Sequence, residues 1–152
     1  MTRTLTPLLA ALLLATAPMT HAAPVAEAAA PAAAASEEKV VYHVNDSDNA
    51  TAALRNIQNH LDAAPDAKIV VVTHGKGIDF LLSGAMDKNG NPYEPNVQAL
   101  KARGVDFRVC NNTLKSRKID PGTVLPEASI VPSGVAEIGK LQAQEGYVYL
   151  KP

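Results

Sequence analysis

Lys68–Thr73 reads KIVVVT and runs directly into His74-Gly75-Lys76-Gly77. Ile69, Val70, Val71 and Val72 are β-branched and apolar, with no polar residue between them. An unbroken run of this kind predicts a strand buried on both faces, as in a parallel sheet covered by helices. The flanking segments agree. Upstream, Lys39–Val44 (KVVYHV) reads as a first strand, closed by the loop and helix start Asn45-Asp46-Ser47-Asp48. Ala50–Ala63 reads as a helix with Ala50, Leu54, Ile57 and Leu61 on one face. Downstream, His74–Gly77 reads as a turn and Ile78–Ser83 as a short helical stretch, followed by a surface loop at Asp87–Pro92.

A helix is predicted over Pro95–Arg103, capped by Gly104. Val105–Val109 reads as a third strand, and a helix follows from Asn111 to Lys118. Ala128–Val131 reads as a fourth strand. Ser133–Gln144 reads as a helix with Val135, Ile138 and Leu141 inward, and Tyr147–Leu150 as a last strand. Strands alternating with helices imply an α/β fold with a parallel sheet and helices on both faces. Its ligand chemistry belongs at the carboxyl ends of the strands.

The N-terminal region reads differently. Met1-Thr2-Arg3 leads into the apolar run Leu5–Ala17, then Thr20-His21-Ala22 offers small residues for cleavage after Ala22. This layout predicts a secretory signal peptide over residues 1–22 and a periplasmic protein. The run is too short to span a bilayer, which takes roughly 20 residues, so no stable membrane span is expected after cleavage. An uncleaved anchor is the competing reading. Residues 23–37, rich in Ala and Pro, read as a flexible linker, and residues 38–152 as the one folded domain.

Composition narrows the function. With 14 Lys+Arg against 15 Asp+Glu there is no basic excess, so no nucleic-acid partner is expected. The absence of Trp, with two Phe and four Tyr, argues against a base-stacking surface. One Cys excludes an internal disulfide and any multi-cysteine metal motif. The sequence lacks GxxxxGK[ST], GxGxxG, GxSxG and HExxH, so phosphate loops and the commonest hydrolase sites have no anchor.

Three strand ends collect the reactive side chains: His43 and Asn45, then His74, Gly75 and Gly77, then Cys110, Asn111 and Asn112. Cys110 closes a strand before a helix start. The helix amides, with Lys115, Arg117 and Lys118, would lower its thiol pKa. A thiolate attacks disulfides or carries a persulfide sulfur. A buried structural cysteine is the plainer alternative. The His74–Gly77 amides either cradle an anion or form a simple glycine turn. His43, His74 and Cys110 could ligate zinc or copper only if they converge; no metal and no cofactor are expected. His60 lies apart, in the first helix.

KVVYHVND, KIVVVTHGKGIDFLL and GVDFRVCNNTLKSRKI, in this order, resemble the DsrE/DsrF-like family of sulfur-relay proteins, as a small, stand-alone and exported member. The specific pieces are the strand entering Cys110 with Arg117 seven positions on, and His74 to Ile78 after a strand. The resemblance implies a three-layer α/β/α domain with a five-stranded parallel sheet, assembled as a homo-oligomer, trimer or hexamer. It implies that Cys110 carries a persulfide between a sulfur donor and an acceptor protein, with His74, Gly75 and Gly77 lining the adjacent pocket. Two other readings stand beside this one. One is a non-catalytic oligomeric binding module for a small anion, metal or partner protein. The other is a redox-sensing thiol that pairs between subunits.

Overall fold

A computed structural model describes residues 37–152. The expected signal peptide and all of the expected linker but Glu37 lie outside the described residues. Among the described residues no helix is long and apolar enough to cross a membrane.

Five strands, β1 (Lys39–Val44), β2 (Lys68–Thr73), β3 (Asp106–Cys110), β4 (Ala128–Val131) and β5 (Val148–Leu150), form one sheet in the order β4-β3-β2-β1-β5. Every pairing is parallel. The helices are α1 (Ala50–Ala63), α2 (Glu94–Ala102), α3 (Asn111–Arg117) and α4 (Gly134–Glu145).

β1 to β4 step across the sheet in one direction, and β5 returns to pair with β1. Right-handed crossovers therefore put the first three connections on one face and α4 on the other. The cores follow this division. Val40, Tyr42, Val44, Ile69, Val71, Phe107 and Val109 pack with α1, α2 and Leu114 of α3. Val41, Val70 and Val72 pack with Ile138 and Leu141 of α4. The uninterrupted apolar run of β2 is thus explained: alternate residues serve two cores.

Local chemistry fixes the element ends. Asp46 accepts from the Asp48 N–H and starts a 3-10 turn at Ser47–Asn49 that leads into α1. Pro95 sits in the first turn of α2, and Gly104 leaves it with φ +93°. Ser133 caps α4 by accepting from the Ala136 N–H, and Gly146 ends it at φ +75°.

Several expectations are corrected. His74–Gly77 is not a turn separate from the helical stretch that follows; Gly75–Leu81 is one 3-10 segment, N-capped by His74. β3 begins and ends one residue later than expected, so Cys110 is its last residue. Val135 is 65% exposed, because Gly134, Ile138 and Leu141 form the inward stripe of α4. Arg108 of β3 donates to Asp106 and to Glu137 of α4, an arrangement that ties the helix to the sheet.

Candidate functional site around Cys110

The connections leaving β3 and β4 diverge to opposite faces of the sheet, and such a divergence is where α/β sheets form their binding crevice. Cys110 ends β3 at this point. Its side chain lies on the α4 face, opposite to Val109, and it is only 4% exposed. Gly134, the first residue of α4, closes over it. A β-carbon on Gly134 would lie 3.1 Å from Thr73 O, 3.2 Å from Cys110 Cβ and 3.3 Å from His74 Cβ, so glycine lets the helix start approach the thiol.

Cys110 is the N-cap of α3 and makes no side-chain cap hydrogen bond of full geometry. Dipoles nevertheless converge on its sulfur. Burial raises the thiol pKa, but the Gly134 N–H, the Thr113 hydroxyl, and the Thr113 and Asn112 N–H groups together outweigh it. The thiol lies below its ordinary pKa as a result. The Thr113 hydroxyl is set for this role. Its oxygen accepts the Gly75 N–H at 3.0 Å, which leaves its own hydrogen for the sulfur.

Gly75 is held in turn. Arg117 Nη1 donates to Gly75 O at 3.0 Å and to Asp79 Oδ1 at 2.6 Å. Gly75 adopts φ +59°, a conformation that favours glycine. The sequence reading is corrected here. The largest influences on the thiol pKa are burial and the Gly134, Thr113 and Asn112 donors, not Lys115, Arg117 or Lys118; Arg117 acts on the glycine turn, one nitrogen donating to both Gly75 O and Asp79 Oδ1. Gly77 is buried at a close packing contact. A β-carbon there would stand 2.0 Å from Val44 O, so it is the point where the 3-10 segment crosses the end of β1. Asn45 forms that wall with its backbone. Asn112 contributes its N–H, which also reaches Pro132 O at 3.3 Å. Asn111 makes no side-chain hydrogen bond among the described residues, so only its place in the helix start remains of its expected role.

His43 and His74 do meet. Their Nε2 atoms lie 2.7 Å apart, and His43 Nδ1 lies 2.6 Å from Tyr149 Oη. His43 has a pKa lowered to about 4 by burial, then by His74 and Lys151; that of His74 is lowered by burial and Lys151. Both rings are neutral near pH 7. Cys110 does not complete a metal set with them: among the described residues no group of three or more His, Cys, Asp or Glu side chains could hold a metal ion. His60 belongs to a separate network, sharing hydrogen bonds with Tyr42 (2.9 Å) and Glu38 (2.7 Å).

Sequence reasoning missed Thr113, Gly134 and Tyr149 as parts of this site. Thr113 carries a local signal, because an N-cap residue faces the N–H groups two and three positions on. Gly134 and Tyr149 arrive through long-range topology and carry none. A cavity of about 250 Å³ between α1 and α2, lined by Leu54, Gln58, Tyr93 and Leu100 among others, shares no residue with the surroundings of Cys110.

Comparison with known proteins agrees with this geometry. Residues 32–152 match the DsrE/DsrF-like family. The protein of unknown function MTH1491 from Methanobacterium thermoautotrophicum has a similar structure, with a TM-score of 0.67 and 27% identity. That match covers 76% of this chain and 100% of the other. The ychN protein from E. coli shares the fold at a TM-score of 0.64 and 14% identity, over 76% and 99% of the two chains. No curated protein matches the sequence. With the match spanning the whole described fold, the chain belongs to the DsrE/DsrF-like family.

Proposed function

We propose that this chain is a sulfur-handling protein that carries sulfane sulfur as a persulfide on Cys110. The family is associated with sulfur relay in general. The observation that supports the finer reading is the convergence of Gly134, Thr113 and Asn112 donors on a thiol at the sheet's divergence point. A thiolate Sγ attacks the outer sulfur of a donor R–S–SH. The Sγ–S bond forms as the donor S–S bond breaks, and R–S⁻ departs. The number of S–S bonds is unchanged, so no oxidant is consumed. The terminal sulfur of the product is itself an anion, and the same donors would hold it. In this reading the protein works in the periplasm as a homo-oligomer, between a sulfur donor and an acceptor protein, and mass analysis of the exported form should show residues 1–22 removed.

The test is persulfide loading followed by mass spectrometry. Wild-type protein gains one sulfur on Cys110, and Cys110→Ser gains none. Equal loading of the two ends the proposal. A second reading, a non-catalytic binding module, draws on the 4% exposure of Cys110, which suits a packed thiol. Slow alkylation with the pH dependence of an ordinary thiol, together with ligand binding unaffected by Cys110→Ser, would decide for it.

A further inference from the structure

The donors around Cys110 leave unused a chain of side chains whose last member, His74, has its Cβ near that of Cys110. Tyr149 Oη, His43 Nδ1, His43 Nε2 and His74 Nε2 are linked by contacts of 2.6 Å and 2.7 Å. Each contact requires one hydrogen between two atoms, and two arrangements satisfy both. In the first, Tyr149 donates to His43 Nδ1, His43 Nε2–H donates to His74 Nε2, and His74 Nδ1 carries a hydrogen. In the second, His74 Nε2–H donates to His43 Nε2, and His43 Nδ1–H donates to Tyr149 Oη. The tyrosine hydrogen then turns to solvent and His74 Nδ1 is a bare lone pair. Passing from the second to the first takes up a proton at His74 and releases one at Tyr149. Neither ring becomes a lasting imidazolium, in keeping with two rings that stay neutral.

The two ends of the chain are suitably placed. His74 Nδ1 has no hydrogen-bond partner among the described residues. His74 Cβ and Cys110 Cβ lie 3.3 Å and 3.2 Å from the position a Gly134 β-carbon would take, so the two side chains are neighbours. At the other end Tyr149 is 38% exposed. Its place on β5 follows from the register, which pairs it with Val41 on the face that carries His43.

We propose that Tyr149, His43 and His74 form a proton relay between Cys110 and solvent. The relay rests on the persulfide reading above. When the thiolate takes the outer sulfur of R–S–SH, that sulfur brings its hydrogen. The product Sγ–S–H passes the proton to His74 Nδ1, and the relay delivers one to water at Tyr149. The departing R–S⁻ takes its proton from water, so charge and atoms balance. Discharge runs the same path in reverse. His74 exchanges the proton, whereas His43 and Tyr149 act through it as positioning residues. The charged group that acts on both rings is Lys151, beyond β5, and on His43 also the His74 ring.

The experiment is rapid-quench loading with glutathione persulfide, read by mass spectrometry, for wild type, Tyr149→Phe, His43→Gln and Cys110→Ser. Both relay variants should load at least roughly tenfold more slowly near pH 7, with a changed pH profile and an unchanged final extent. Their rates of Cys110 alkylation by iodoacetamide should equal wild type, since no thiol-facing donor is altered. Wild-type loading rates and pH profiles in both variants overturn the relay. So does a parallel fall in alkylation, which would mark a merely structural effect. If Cys110→Ser loads like wild type, the persulfide reading fails and the relay falls with it; an inert Cys110→Ser with unaffected relay variants removes the relay alone.

Discussion

Replacing Thr113 by Val removes one hydroxyl and little volume, so it isolates one of the groups set around Cys110. Thr113 is buried, and its oxygen accepts the Gly75 N–H at 3.0 Å while its hydrogen faces the sulfur. A fully formed hydrogen bond to a charged group is worth about 1.5–3 kcal/mol. The geometry around Cys110 falls short of a full cap bond, so the ordinary net figure of about 1–1.5 kcal/mol is the better measure. That energy converts to roughly a tenfold loss of thiolate at pH 7. The assay is the pH dependence of Cys110 alkylation by iodoacetamide, followed by mass. Thr113→Val should react about tenfold more slowly at pH 7 and converge with wild type at high pH, whereas Thr113→Ser stays close to wild type. A Thr113→Val profile that overlays wild type at every pH, with the fold intact by circular dichroism, would refute the role given to the hydroxyl.

Further outcomes follow from the neighbouring geometry. Arg117→Gln frees Gly75; because Arg117 and Asp79 are 37% and 36% exposed, the stability lost in urea should stay below about 1 kcal/mol, while alkylation slows. Gly77→Ala drives a β-carbon into the end of β1, and should cost upwards of about 3 kcal/mol in urea unfolding or prevent soluble expression; a loss under 1 kcal/mol would contradict the close approach. His43 is lowered from 6.5 to about 4, so the unfolded chain binds the proton first as pH falls. Stability from this group is therefore present above pH 6.5 and lost as pH drops toward 4. Thermal melts should show the wild type losing more stability over that window than His43→Gln, by roughly 1 kcal/mol after allowance for solvent screening.

Much of the fold is legible in the sequence because the local signals agree with one another. β1, α1 and β2 occupy the residues their apolar patterns predict, since each run matches the faces it buries; β4 also falls at its expected residues, although none of them is fully buried. The 3-10 segment at Gly75–Leu81 escaped, because its course depends on a close crossing over Val44 that only a glycine permits. Val135 misled for a related reason. The rotation of α4 is set by Gly134 seating against Thr73, Cys110 and His74, and a helix-period reading does not contain that contact. At the site, the gathering of His43, His74 and Cys110 at one sheet edge followed from the element order alone. Arg117 illustrates the limit. Its charge and spacing suggested action on the thiol, but the fold turns it toward Asp79 and Gly75, where its effect on Cys110 passes through a backbone N–H and Thr113.

The claim that carries the rest is that Cys110 accepts sulfur. Wild-type protein and Cys110→Ser, each incubated with a small persulfide donor and analysed by intact mass under non-reducing conditions, test it directly. The account predicts a single added sulfur on wild-type protein, removed by a thiol reductant and absent from the serine variant. Equal sulfur gain in the two proteins, or none in either while Cys110 still alkylates, would contradict it.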